Sequence, residues 1–187
     1  MTITLGTARA FFDAAAETME SHRDELCELD AQAGDGDIGL TMSKGFVAVR
    51  DRLAGPDGEG VDLAGAFRLA AMTMMNAAPS TMGTLVASGL LRAAGKPGSE
   101  TAEDDIAVDA LLEALIAGIQ ARGQAQRGEK TILDPLYAAL DCVSRGHVTP
   151  AEMESCAHEE ARRTTEMPAV HGRAARYPDA SVGKQDA

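Results

Sequence analysis

The sequence predicts an all-α protein, an up-and-down antiparallel helical bundle. Three observations carry this: apolar residues recur at helical spacing along most of the chain, strand composition is confined to Thr2–Leu5, and the breaks between periodic segments are short. Ala8, Phe11, Phe12, Ala15 and Met19 mark a first helix, and the charged stretch from His22 to Leu29 is also helix-like. Met42, Phe46, Val49 and Leu53 form the next stripe, closed by a Gly/Pro/Asp turn over Gly55–Gly60. Val61–Ala78 and Thr81–Ala94 are rich in Ala and Met and apolar on more than one side. They are expected to be well buried, with Met72, Met74, Met75 and Met82 as core filler. A second turn follows over Gly95–Thr101. The acidic pair Asp104 and Asp105 then suits the start of the helix carried by Val108, Leu111, Leu112, Leu115 and Ile119. Leu136, Leu140 and Val143 follow Pro135, and Thr149-Pro150-Ala151-Glu152 caps a helix that reaches about Glu166. Thr2–Leu5 is too short to build a sheet. The periodicity stops at Gly172, and the polar remainder reads locally as a frayed tail.

Composition narrows the function. The 187 residues suit a single domain, 1–187, and 17 basic against 29 acidic residues leave a formal charge of −12. Such a surface repels nucleic acid and anionic membranes, and 3% aromatics without Trp leaves little for base stacking. No apolar run approaches the roughly 20 residues of a membrane span, and Met1–Ala10 lacks the marks of a signal peptide. Cys27, Cys142 and Cys156 are odd in number and widely spaced, which supports neither a disulfide framework nor a zinc site. A soluble, reduced, cytoplasmic protein is expected.

The chemistry concentrates between Leu29 and Gly39. Gly34-Asp35-Gly36-Asp37-Ile38-Gly39 formally fits the dinucleotide fingerprint, but no strand precedes it and its carboxylates would repel a pyrophosphate on bare amides. An EF-hand fails because the third ligand position falls on Gly39, and no Gly-Lys-Ser/Thr closes a P-loop. A divalent-metal site built from Asp30, Asp35 and Asp37 is the reading that survives, beside a plain helix-capping loop. Three like charges a few ångströms apart each cost on the order of 1 kcal/mol or more at an effective dielectric near 20. A hard cation such as Mg²⁺ removes that cost and keeps positions open for phosphate oxygens.

Leu29-Asp30, the run from Gly34 to Met42, and Gly45-Phe46 resemble the nucleotide site of the L subunit of dihydroxyacetone kinase, the DhaL family. The resemblance continues at Arg122-Gly123, at Gly128 to Asp134, at Thr164 to Met167, at Gly172-Arg173-Ala174 and at Ser181 to Asp186, in the family's order over nearly the whole chain. It implies a barrel of eight antiparallel helices with Mg-ADP or Mg-ATP at one end. Asp30, Asp35 and Asp37 would hold the magnesium ions, and Thr41 and Ile38 would lie beside the phosphates. Ser80, Thr81, Met82 and Gly83 would form the phosphate loop, Gly123 and Ile132 would line the adenine pocket, Arg173 would meet phosphate, and Asp186 would lie in a tail, 172–187, that covers the nucleotide. The resemblance also implies partners: a K-type subunit that holds the substrate, an M-type subunit in phosphotransferase-dependent systems, and no kinase activity from this chain alone.

Three departures from the family pattern bear on this. Ile38 stands where the family commonly has His, Pro79-Ser80-Thr81-Met82-Gly83 replaces its Gly-Gly-x-Ser-Gly loop, and its last helix is missing, so that either the sequence is cut there or seven helices close the barrel. An opened barrel would expose apolar surface to a partner or to a second copy, a homodimer. A catalytically silent binding or regulatory module of the same fold is the second functional reading. His22, His147, His158 and His171 are scattered, which suits surface or packing roles. Lys44 and Lys130 read equally as phosphate contacts or surface charges, and Glu152–Glu160 as a wet helix face.

Overall fold

Local side-chain chemistry starts the helices. The computed structural model describes residues 1–95, 105–146 and 149–187. Along them run β1 (Thr2–Ile3), α1 (Leu5–Ser21), α2 (Arg23–Ala31), α3 (Ile38–Ala54), α4 (Leu63–Ala77), α5 (Thr81–Ala94), β2 (Ile106–Ala107), α6 (Val108–Gly123), α7 (Leu133–Ser144), α8 (Pro150–Arg163) and a one-turn α9 (Pro178–Ser181). Short 3-10 turns sit at Pro56–Gly58, Thr164–Glu166 and Ala174–Arg176. The Thr149 cap is a full capping box: Glu152 N donates to Thr149 Oγ1 at 3.3 Å, and Thr149 N donates to Glu152 Oε2 at 3.1 Å. Thr4 and Thr7 make the same reciprocal pair at the start of α1. Asp62 and Ser80 cap α4 and α5 by accepting from Gly65 N and Gly83 N.

Each helix packs against its sequence neighbour from α3 to α8, with α3 also against α1 and α2, so the fold is a helical bundle wound in chain order. Phe12 of α1 meets Phe67 of α4 edge to face at 6.2 Å, and Val49, Met74 and Leu90 complete the main core around them. A smaller cluster of Ile116, Ile119, Ala125 and Leu133 lies between α6 and α7. Among the described residues eight helices reach nine residues or more, against the seven of a barrel closed without the family's last helix. They include α1 and α2 counted apart, which only the bend at His22 divides (φ −101°, ψ 10°). No helix among the described residues is long and apolar enough to cross a membrane.

Several local expectations are corrected. Thr2 and Ile3 do form a ladder, antiparallel to Ala107 and Ile106, because a distant segment supplies the partner that Thr2–Leu5 lacks on its own. That ladder occupies the residues before Val108, so Asp105 lies outside α6 and Asp109 is the acid in its first turn. The turn beyond Gly95, Asp104 and His147 lie outside the described residues. Met74 is buried in the core, but Met72 and Met75 are exposed, since α4 is covered on one side only. Cys142 and Cys156 are joined in a disulfide, with Cα atoms 6.5 Å apart, contrary to the expected reduced state. The α7–α8 hairpin brings together two residues whose sequence spacing gave no sign of contact. Cys27 is free.

Candidate functional site

The aspartate loop joins α2 to α3, and its geometry follows from its glycines. A Cβ at Gly34 would run into the Asp30 carboxylate, and Gly36 takes φ +75°, so the chain can fold back over the end of α2 only with glycine at both. Asp30 Oδ2 accepts from Asp37 N at 3.0 Å and from Ile38 N at 3.4 Å. Asp30 therefore caps α3 from outside, and the Asp37 side chain, at the N-cap position, makes no capping bond. One oxygen from each of Asp30, Asp35 and Asp37 falls within 4.8 Å of the other two. The donors are all carboxylate oxygens, two of the three side chains are exposed, and capping consumes neither Asp35 nor Asp37. These residues fit a hard divalent cation such as Mg²⁺.

The three carboxylates form one wall of a cleft of about 1070 Å³. The N-terminus of α5 faces it through Ser80, Thr81 and Met82, where the first amides of a helix have no intrahelical acceptor. The Ser80 hydroxyl is occupied, accepting from Gly83 N at 3.0 Å, so the N–H groups of Thr81 and Met82 are what this turn offers an anion. Further along, Leu85, Ile119, Gly123, Ile132 and Leu133 give the cleft an apolar end. Arg173 and Asp186 reach it from the C-terminal tail. The cleft thus joins eleven of the thirteen residues singled out in the sequence. Thr41, half-buried one turn into α3, and Gly83, buried under the α5 cap, do not line it. Ile38 lines it and also packs on the main core.

The tail is ordered, which corrects the frayed reading. Gly183 N donates to Thr165 O at 2.7 Å, Asp186 N to the buried Thr164 Oγ1 at 2.9 Å, and Ala169 N to the buried Ser181 Oγ at 2.8 Å. Lys184 Nζ crosses to Gln32 O at 2.7 Å, and Arg173 meets Asp35 Oδ2 at 2.6 Å, so the tail is tied to the aspartate loop twice. Half-buried Asp186 is pushed up to about 6, mainly by burial; Lys130 opposes that rise, while Asp134 and Asp30 add to it.

Lys130 is neither a phosphate contact nor a surface charge. It is buried, and its ammonium donates to the carbonyls of Met167 at 3.3 Å, Ser181 at 2.7 Å and Lys184 at 2.6 Å. Burial pulls its pKa below the ordinary lysine value. The loop beneath is fixed by Asp134, whose fully buried carboxylate accepts from Gly128 N at 2.5 Å and Thr131 N at 2.8 Å. His171, expected in a bland role, lines the cleft and lies 2.6 Å from Glu129 Oε2. Glu129 is held below the usual carboxylate range by hydrogen bonds from Gln126 N and then His171. The signal available in the sequence for this group was the block Gly128-Glu129-Lys130-Thr131, whose partners are some 40 to 50 residues away. Lys44 and His158 are exposed.

Comparison with known proteins agrees with this architecture. The family model for the DAK2 domain matches residues 32–187. The ADP-binding subunit DhaL of PEP-dependent dihydroxyacetone kinase 1 from Listeria innocua is 27% identical over 170 residues, covering 91% of this chain and 82% of that protein. D-erythrulose kinase from Mycolicibacterium smegmatis is 34% identical across 96% of this chain, which spans 32% of that longer protein. The crystal structure of the dihydroxyacetone kinase from C. freundii in complex with AMP-PNP and Mg²⁺ superposes with a TM-score of 0.72 at 21% identity, over 98% of this chain and 34% of that one, and shares the fold. The match over residues 32–187, together with these relatives, establishes that the chain belongs to the DAK2 domain family, as a divergent member.

Proposed function

We propose that this chain is the Mg-ADP/ATP-binding subunit of a dihydroxyacetone-type kinase, a cytoplasmic phosphotransferase component that is inactive alone. It presents a phosphoryl group to a small ketose or polyol held by a separate K-type subunit, and an M-type subunit recharges the nucleotide where the donor is phosphotransferase-dependent. The observation that carries this reading is the cleft itself: three carboxylates on one wall, a helix N-terminus beside them and an apolar end beyond. The relatives named for ADP binding and erythrulose phosphorylation support it.

Asp30, Asp35 and Asp37 would hold magnesium, which would supply positive charge to offset that of the phosphates. The N–H groups of Thr81 and Met82 donate to phosphate, and Ile132, Gly123 and Leu85 receive the adenine ring. Arg173 exchanges Asp35 for phosphate, and residues 172–187 cover the nucleotide and exclude water. The carboxylates position and neutralise rather than abstract a proton. In a chain of charge −12, a polyphosphate enters this acidic mouth only together with a divalent cation.

Calorimetric titration of ADP and ATP, with magnesium and again with a chelator, tests the reading. Tight binding in magnesium alone is the expected result. A folded chain that binds neither nucleotide in either condition overturns it in favour of a silent module, the reading that Ile38 and Pro79 would then explain.

A further inference from the structure

Lys130 is the feature of the cleft that nucleotide binding does not itself call for. A buried ammonium is costly unless every proton is satisfied, and this one has three donors and three carbonyl acceptors: Met167, which closes the 3-10 turn before the tail, and Ser181 and Lys184 in the tail itself. No donor is left over for a phosphate. The side chain is aimed by a loop built for the purpose. Lys130 sits at φ +59°, between Gly128 at φ +86° and Thr131, and the Asp134 carboxylate accepts from the amides of Gly128 and Thr131 on either side. The segments whose carbonyls it gathers are the ones that put Arg173 and Asp186 on the cleft, and Lys184, whose carbonyl it holds, sends its own ammonium to Gln32 beside the aspartate loop.

We infer that Lys130 is a positioning residue: its buried ammonium latches the tail across the cleft and so sets how tightly a nucleotide is retained, acting through the tail rather than on the nucleotide. This rests on the nucleotide reading for its second half only. The first half, that Lys130 holds the tail closed, stands on the three carbonyl bonds.

The test uses the full chain and its K130M variant, which keeps the stem and removes the charge. Limited trypsin digestion read by mass spectrometry follows cleavage after Arg173 and Arg176, and calorimetry follows Mg-ADP. In K130M, tail cleavage is expected to accelerate about tenfold or more and Mg-ADP affinity to fall by about the same factor, the scale of lost charge-assisted hydrogen bonds. K130A, assayed with and without propylammonium, supplies the readout that a packing role would not move: propylammonium restores tail protection, and tetramethylammonium at equal concentration does not. A folded K130M with wild-type tail protection overturns the latch. If K130M loses its helical signal, K130A decides, and no specific restoration by propylammonium overturns the latch as well. If the wild-type chain binds no nucleotide, the functional reading fails while the digestion still settles the role of Lys130.

Discussion

The Asp30 carboxylate accepts the backbone N–H of Asp37 at 3.0 Å, across seven residues of loop. One acid of the cluster thereby builds the turn that presents another. Asp30 has a structural duty at the start of α3, and the Asp37 side chain, freed from capping its own helix, has none.

The two acids are therefore expected to fail differently. Asp37→Asn abolishes magnesium-dependent ADP binding and leaves the melting temperature unchanged or slightly raised, because only a like charge is lost. Asp30→Ala abolishes binding and also destabilises the chain by about 1–3 kcal/mol, the usual scale for orphaned amide donors. Calorimetry paired with thermal melts separates them, and equal stability losses in both variants would refute this division of labour.

Ile38 gives a second test. It contacts both the cleft and the core, so Ile38→His adds a polar group to the cleft beside the carboxylates and removes apolar packing. The expected result is Mg-ADP affinity equal to or tighter than wild type, with a lower melting temperature. A large loss of affinity in a folded variant would mean that this loop is organised around the apolar side chain.

Asp186 predicts a pH dependence. Its carboxyl is pushed up to about 6 from an ordinary 3.8, chiefly by burial. The folded chain then holds this proton where the unfolded chain has released it, so the contribution of Asp186 to stability is present below pH 3.8 and lost as pH rises toward about 6. Asp186→Asn should stabilise the metal-free chain relative to wild type at pH 7 and not at pH 4. Chemical denaturation at the two pH values checks this, and a variant equally or less stable at pH 7 contradicts it.

The disulfide closes a loop between residues 14 apart in sequence, for which chain-entropy arguments give about 3 kcal/mol. Reduction should lower the melting temperature and leave Mg-ADP affinity unchanged, because neither cysteine lines the cleft. Thiol titration of the denatured, unreduced chain should find Cys27 alone. Three titratable thiols would show that the bond does not form.

Much of this protein was legible in its sequence. The stripes Met42–Phe46–Val49–Leu53 and Val108–Leu111–Leu115–Ile119 specify helices because the 3.6-residue period is local, and Thr149 with Glu152 specifies a cap for the same reason. The carboxylate cluster was legible because its three members lie within eight residues, with glycines that let the loop close on itself. What only the tertiary structure decided depends on long-range contact. The pairing of Thr2–Ile3 with Ile106–Ala107, the Cys142–Cys156 bond and the burial of Lys130 under the carbonyls of Met167, Ser181 and Lys184 each join segments that carry no mutual signal along the chain. The same holds for Arg173, which reaches Asp35 from 138 residues away because the ordered tail lies across the mouth of the cleft. Periodicity and spacing act over a few residues, whereas the partners of a buried ammonium are chosen by which surfaces the packed helices bring together.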